Sequence, residues 1–138
     1  MTTINAKKGE LVNIINGLFQ VQDLKGKKFS LVVSKNIALL REALQELENA
    51  GKPSEEFMAL AEQVNDIATK ESEEEAKKKI DALEKENEEL VQARRDQMDG
   101  VTKMMEEEAK IDLHVIKEDI LPEEITAQQI NKLIKIIE

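Results

Sequence analysis

SEEFMALAEQVNDIATKESEEEAKKKIDALEKENEELVQARRDQMDGVTKMMEEE, residues 54–108, is the stretch on which the fold turns. Apolar residues return in it at helical spacing: Phe57, Ala61, Val64, Ala68, then Ala76, Ile80, Leu83, Leu90, Val101 and Met105. The positions between them are mostly Glu, Lys, Asp and Gln, Pro53 stands just before the stretch, and Gly100 is its one glycine. A helix this polar cannot bury itself in a conventional core and needs a partner helix along a narrow seam.

Two geometries satisfy that need. A straight helix over 54–108 would cover about 80 Å, against about 25 Å for a helix over 34–50, and would overshoot its starting level by roughly 55 Å. A reversal near Thr69–Glu75 instead makes 34–70 and 72–108 limbs of about 55 Å each. Ser72-Glu73-Glu74-Glu75 supplies an S-x-x-E capping box there, and Gly51–Pro53 becomes a kink in the outgoing limb. The pairs Glu73/Lys77, Glu74/Lys78 and Glu75/Lys79 support the opposite outcome, an unbroken helix whose strands pair between chains in a swapped or coiled-coil oligomer. The hairpin is the favoured expectation.

Working outward, Leu11, Ile14, Ile15, Leu18 and Val21 make one face of a helix over Glu10–Leu24, closed by Lys25-Gly26 with Gly26 as a left-handed cap. Phe29, Leu31 and Val33 alternate with Lys28, Ser30 and Val32 and predict a short strand. Ser34 is then an N-cap for a helix with Ile37, Leu40, Leu44 and Leu47 inward, interrupted by Asn49–Pro53 and restarted at Ser54. Ile111, Leu113 and Val115 predict the second strand. Thr126 to Gln129 is a T-x-x-Q capping box, stapled by Ile125 and Ile130, and opens a closing helix packed through Ile130, Leu133, Ile134 and Ile137. The fold class is therefore mainly α with a small β component. A single domain, 1–138, has a small α+β head with two short strands and flanking helices (1–35 and 110–138). That head carries a long helical hairpin or coiled-coil arm, 36–109.

Composition bounds the function. Forty-one per cent apolar content with three Phe and no Trp or Tyr permits a modest aliphatic core. Zero cysteines exclude a disulfide scaffold and thiolate metal sites. No apolar run approaches a membrane span, and Met1–Lys8 lacks a secretory core, so a soluble cytosolic chain is expected. The net charge of −9 is uneven: residues 1–35 carry +4 and 54–109 carry −10. The arm should repel nucleic acid and suit a basic protein surface.

No catalytic constellation stands out, and no cofactor or metal site is expected. His114 shares a strand face with Asp112, a pair able to move a proton, but without a nucleophile or second metal ligand it reads as a solvated surface histidine. The run Glu71, Glu73, Glu74, Glu75 lacks the glycine turn of a calcium loop and reads as a solvated helix face or cap. Lys25, Lys27 and Lys28 read as protection of an edge strand. The candidate partner contacts lie elsewhere. Asn87 and Arg94 interrupt the apolar stripe, where they either fix register or simply face water. Met98, Met104 and Met105 form an adaptable surface or fill a core. Glu106, Glu107 and Glu108 form a contact for a basic partner or a solvated run.

The helix bearing Asn16-Gly17-Leu18, the strand leading into Ser34-Lys35-Asn36-Ile37, the stretch Ile111–Ile116 and the tail Ile125–Ile137 resemble an uncharacterised family of small proteins from tailed bacteriophages and prophages. The resemblance covers about 9–48 and 104–138, with a longer and more acidic middle here, and transfers no active-site residue. It implies a phage protein in the bacterial host cytoplasm, incorporated in the virion or aiding its assembly. The expected function is that of a non-enzymatic virion component or head–tail assembly factor acting through protein–protein contacts of the arm. Its partners would be phage structural proteins or further copies of itself in a homo-oligomer, with no nucleic acid and no membrane. The alternative is an acidic inhibitor of a host nucleic-acid-binding or defence enzyme, its clustered carboxylates occupying a basic channel.

Overall fold

Thr2–Lys7 forms strand β1, which pairs antiparallel with β2, Glu108–Leu113, in the register Thr2↔Leu113 to Lys7↔Glu108. Both belong to a computed structural model that describes every residue from Met1 to Glu138. Between them run α1 (Lys8–Val21), α2 (Lys27–Ala43), α3 (Gln45–Gly51), α4 (Glu55–Lys70), α5 (Glu73–Glu86) and α6 (Glu88–Met105), and α7 (Ala127–Lys132) follows β2. The fold is mainly helical with one two-stranded antiparallel sheet. No helix is long and apolar enough to cross a membrane. The chain divides into two compact units: an α/β unit, 1–48 with 103–138, and a hairpin unit, 49–102.

In the α/β unit, β1 alternates strictly, with Ile4 and Ala6 buried and Thr3, Asn5 and Lys7 exposed. The predicted first strand, Phe29–Val33, is instead the beginning of α2. Phe29, Val33, Asn36, Ile37, Leu40 and Leu44 are all buried, an unbroken helical period that absorbs the short apparent alternation. Leu31, which a strand would place inward with Phe29 and Val33, is 55% exposed. Ser34 consequently lies in mid-helix and caps nothing. Gly26 is the N-cap of α2 rather than the cap of α1, which ends at Val21. Its φ of 143° is a conformation that favours glycine, and its carbonyl accepts the Ser30 N–H at 2.8 Å. With no strand there, Lys25, Lys27 and Lys28 protect no sheet edge.

The second predicted strand is present but stops at Leu113. Beyond it the chain is held by the C-terminal tail: the Ile116 N–H donates to the Ile136 carbonyl at 2.7 Å, and the Glu138 N–H donates to the Ile116 carbonyl at 2.9 Å. The Thr126–Gln129 capping box forms as expected. The closing helix is shorter than its pattern implied, because it tightens into a 3-10 turn at Ile134–Ile136. That change of pitch turns Ile136 inward beside Leu133 and leaves Ile134 exposed. Gly17 of α1 lets α7 approach closely; a Cβ there would sit 3.1 Å from the Lys132 Cβ.

The hairpin unit reverses between α4 and α5, which pack against each other. Ser54 caps α4 by accepting the Phe57 N–H at 3.1 Å, and Ser72 caps α5 by accepting the Glu75 N–H at 3.4 Å. The chain thus takes the hairpin rather than the unbroken helix. Leu60 of α4 and Ala76 of α5 are buried, Phe57, Val64, Ile67, Ile80 and Leu83 of the same two helices and Leu90 of α6 are half-buried, and Ala61 and Ala68, expected inward, are exposed. The expected boundaries of the arm, 36 and 109, differ from the compact unit 49–102 because Asn36, Ile37, Leu40, Leu44 and Leu47 belong to the core of the α/β unit.

Candidate functional site

The residues that interrupt the hairpin stripe hold the hairpin itself together. The last carbonyls of α3 have no partner within their own helix. Arg94 on α6 donates from Nη1 to the Gly51 carbonyl at 2.9 Å, and Gln97 donates from Nε2 to the Ala50 and Lys52 carbonyls at 2.8 and 2.6 Å. Arg94 also donates to Gln97 Oε1 at 2.9 Å, so the two side chains act as one clamp. A guanidinium at a helix C-terminus complements the negative end of the helix dipole. The Arg94 guanidinium further lies 5.4 Å from the centroid of the Phe57 ring. Asn87 ends α5, donating from Nδ2 to the Leu83 carbonyl at 2.8 Å, and its own carbonyl accepts the Val91 N–H where α6 begins.

Arg94→Ala is expected to remove about 1–2 kcal/mol from the hairpin unit through these lost bonds and the ring contact. Hydrogen exchange should quicken over residues 50–60 and 88–100 while β1 and α1 keep their protection. Arg94→Lys should recover only part, because an ammonium lacks the planar fork. Unchanged exchange at 50–60 in the alanine variant would remove the clamp from this account.

The remaining candidates are divided between the units. Met98 is exposed in the hairpin unit, whereas Met104 and Met105 are half-buried in the α/β unit. Met105 lines a groove of about 420 Å³ with Val12, Ile15, Phe19, Leu44 and Leu47. Arg41 borders the same groove, its guanidinium 5.4 Å from the Phe19 ring centroid. Glu106 is exposed. The Glu107 carboxylate accepts from Lys8 Nζ at 2.8 Å, a bond that raises the lysine above its ordinary pKa, and Glu108 stands opposite Lys7 in the sheet. Two of the three carboxylates therefore face lysines of the same unit.

His114 is half-buried rather than fully solvated, and Asp112 accepts a bond from the Thr3 hydroxyl across the sheet. The fixed feature at His114 is its backbone. Asn36, fully buried, accepts the His114 N–H at 2.8 Å and donates Nδ2 to the His114 carbonyl at 2.9 Å. Sequence reasoning missed this amide clasp, although a lone Asn among inward aliphatics at 33, 37 and 40 was its signal.

No family model, curated protein or solved structure matches this chain. The geometry accordingly carries the functional argument. It comprises a helical hairpin fixed by its own polar residues, an apolar groove beside α1, and backbone clasps that order the α/β unit.

Proposed function

We propose that this chain is a non-enzymatic interaction protein acting through its helical hairpin, as a virion component or head–tail assembly factor of a phage, made in the cytoplasm of a bacterial host. The observation that carries this reading is the hairpin unit. Arg94, Gln97, Asn87, Ser54 and Ser72 are engaged in ordering it, so its surface meets a partner already formed. Preorganisation lowers the entropic cost of association. Residues 49–102 carry fifteen acidic and eight basic side chains, net −7, which favours partners with basic surfaces. The phage setting is supported by the sequence resemblance.

The test is recovery of the tagged full chain from phage-infected cells at low and high salt, with bound proteins identified by mass spectrometry. Capsid, portal or tail proteins are the expected catch. A single basic host enzyme, lost at high salt, would replace the assembly role by inhibition of that enzyme, the reading that the −7 surface also favours. Recovery of nothing beyond the tag control at either salt would overturn both.

A further inference from the structure

Two exposed helical faces, one in each unit, complement each other in charge and in spacing. On α2 the outer face carries Leu31, 55% exposed, and Ala38, with Lys28 and Lys35 alongside. From Lys25 to Lys35 there are four lysines and no acidic residue, and the ion pairs of the chain use none of them. On α4 the flank beside the seam with α5 carries Met58, 57% exposed, with exposed Ala61, Asn65 and Ala68, in a strip about 80° wide at 3.6 residues per turn. The Ala68 edge of that strip borders a groove shared with Ala76, Lys77 and Ile80 of α5. Glu55, Glu62 and Asp66 border that strip, again outside any ion pair.

Both faces repeat at the same interval. Leu31 and Ala38, Lys28 and Lys35, Met58 and Asn65, Ala61 and Ala68, and Glu55 and Glu62 are each seven residues apart, about 10.5 Å along a helix. Alanines at that interval let a second helix come close, and Leu31 and Met58 supply the large apolar groups to fill the contact. Carboxylates on one side then meet ammonium groups on the other. The net −9 of the whole chain opposes contact between copies, but at about 0.1 M salt that repulsion is screened beyond about 10 Å, whereas paired charges in the contact are not.

We propose that the outer face of α2 in one copy docks on the Met58–Ala68 face of α4 in a second copy. The two faces are different surfaces, so a docked pair is left with one of each unused, and further copies add head to tail into a chain or ring. This rests on the reading of the hairpin as a contact element and names its partner as another copy of the same chain.

The test is sedimentation velocity of the full chain over a wide range of concentrations, near 0.1 M and near 1 M salt. The expected result is a mass that climbs past the dimer with concentration at the lower salt, and association at least about tenfold weaker at the higher. Lys28→Glu with Lys35→Glu, and separately Glu62→Lys with Asp66→Lys, should each abolish assembly while keeping wild-type helicity by circular dichroism. Mixing the two double variants should restore it, since each then offers the other a complementary pair of faces. A monomer at every concentration overturns the proposal. So does a closed dimer indifferent to both reversals, failure of the mixture to assemble, or a monomer whose Lys28/Lys35 face retards duplex DNA instead. A monomeric chain that still recovers phage structural proteins from infected cells would overturn this inference alone and leave the assembly role standing.

Discussion

Asn36→Leu is expected to destabilise the α/β unit by about 3 kcal/mol, measured as a fall in the urea midpoint with an unchanged slope. Asn36 is fully buried, and both halves of its amide are engaged by one residue, the N–H and carbonyl of His114 just past the end of β2. Leucine fills a similar space but leaves a backbone donor and a backbone acceptor without partners, at about 1–3 kcal/mol each. Asn36→Asp adds a pH dependence of known sign. An ionised carboxylate can accept the His114 N–H but faces the His114 carbonyl, whereas the protonated acid can donate to it. Burial and that carbonyl therefore raise the folded pKa of the new Asp above its unfolded value of about 3.9. Relative to wild type, the variant should be least impaired below about pH 4 and lose stability as pH rises through the folded pKa. A loss under about 1 kcal/mol for Asn36→Leu, or a pH-independent deficit for Asn36→Asp, would mean that the clasp does not hold the two segments together.

What the sequence disclosed follows the range of the interactions involved. Ser54, Ser72 and the Thr126–Gln129 box are local signals, each a side chain three residues from the N–H that it caps, and all three helices start where those signals stand. The stripe at Ile37, Leu40, Leu44 and Leu47 was legible for the same reason, a short-range period that runs through the end of α2 into α3. Strand β1 was not. Its six residues, TTINAK, hold one strong apolar side chain, and what makes them a strand is pairing with residues 108–113. The interaction candidates fall between these cases. Asn87 and Arg94 were visible as interruptions of a stripe, but the Arg94 contact to Gly51 lies 43 positions away, and nothing local announces it. Gln97 and Phe57, which complete the clamp, fitted the polar and apolar pattern too well to be noticed.

The misreading of 29–33 supplies the most discriminating stability experiment. Phe29→Ala is expected to cost about 3–5 kcal/mol, the usual range for emptying a buried aromatic site, because Phe29 is among the largest fully enclosed side chains of the chain. Leu31→Ala, two residues on, should cost less than about 0.5 kcal/mol, since its side chain stands in solvent on the far face of α2. A strand over 29–33 would place both residues on one buried face and make the two losses comparable. A helix separates them by about 200° and makes them unequal. Chemical denaturation of the two variants beside the wild type therefore reads the secondary structure of this segment through energetics alone. Equal and large losses would restore the strand and detach α2 from its glycine start at Gly26. A large loss at Phe29 with almost none at Leu31 would fix the helix and leave Leu31 on an outer surface, where the proposed contact between copies requires it.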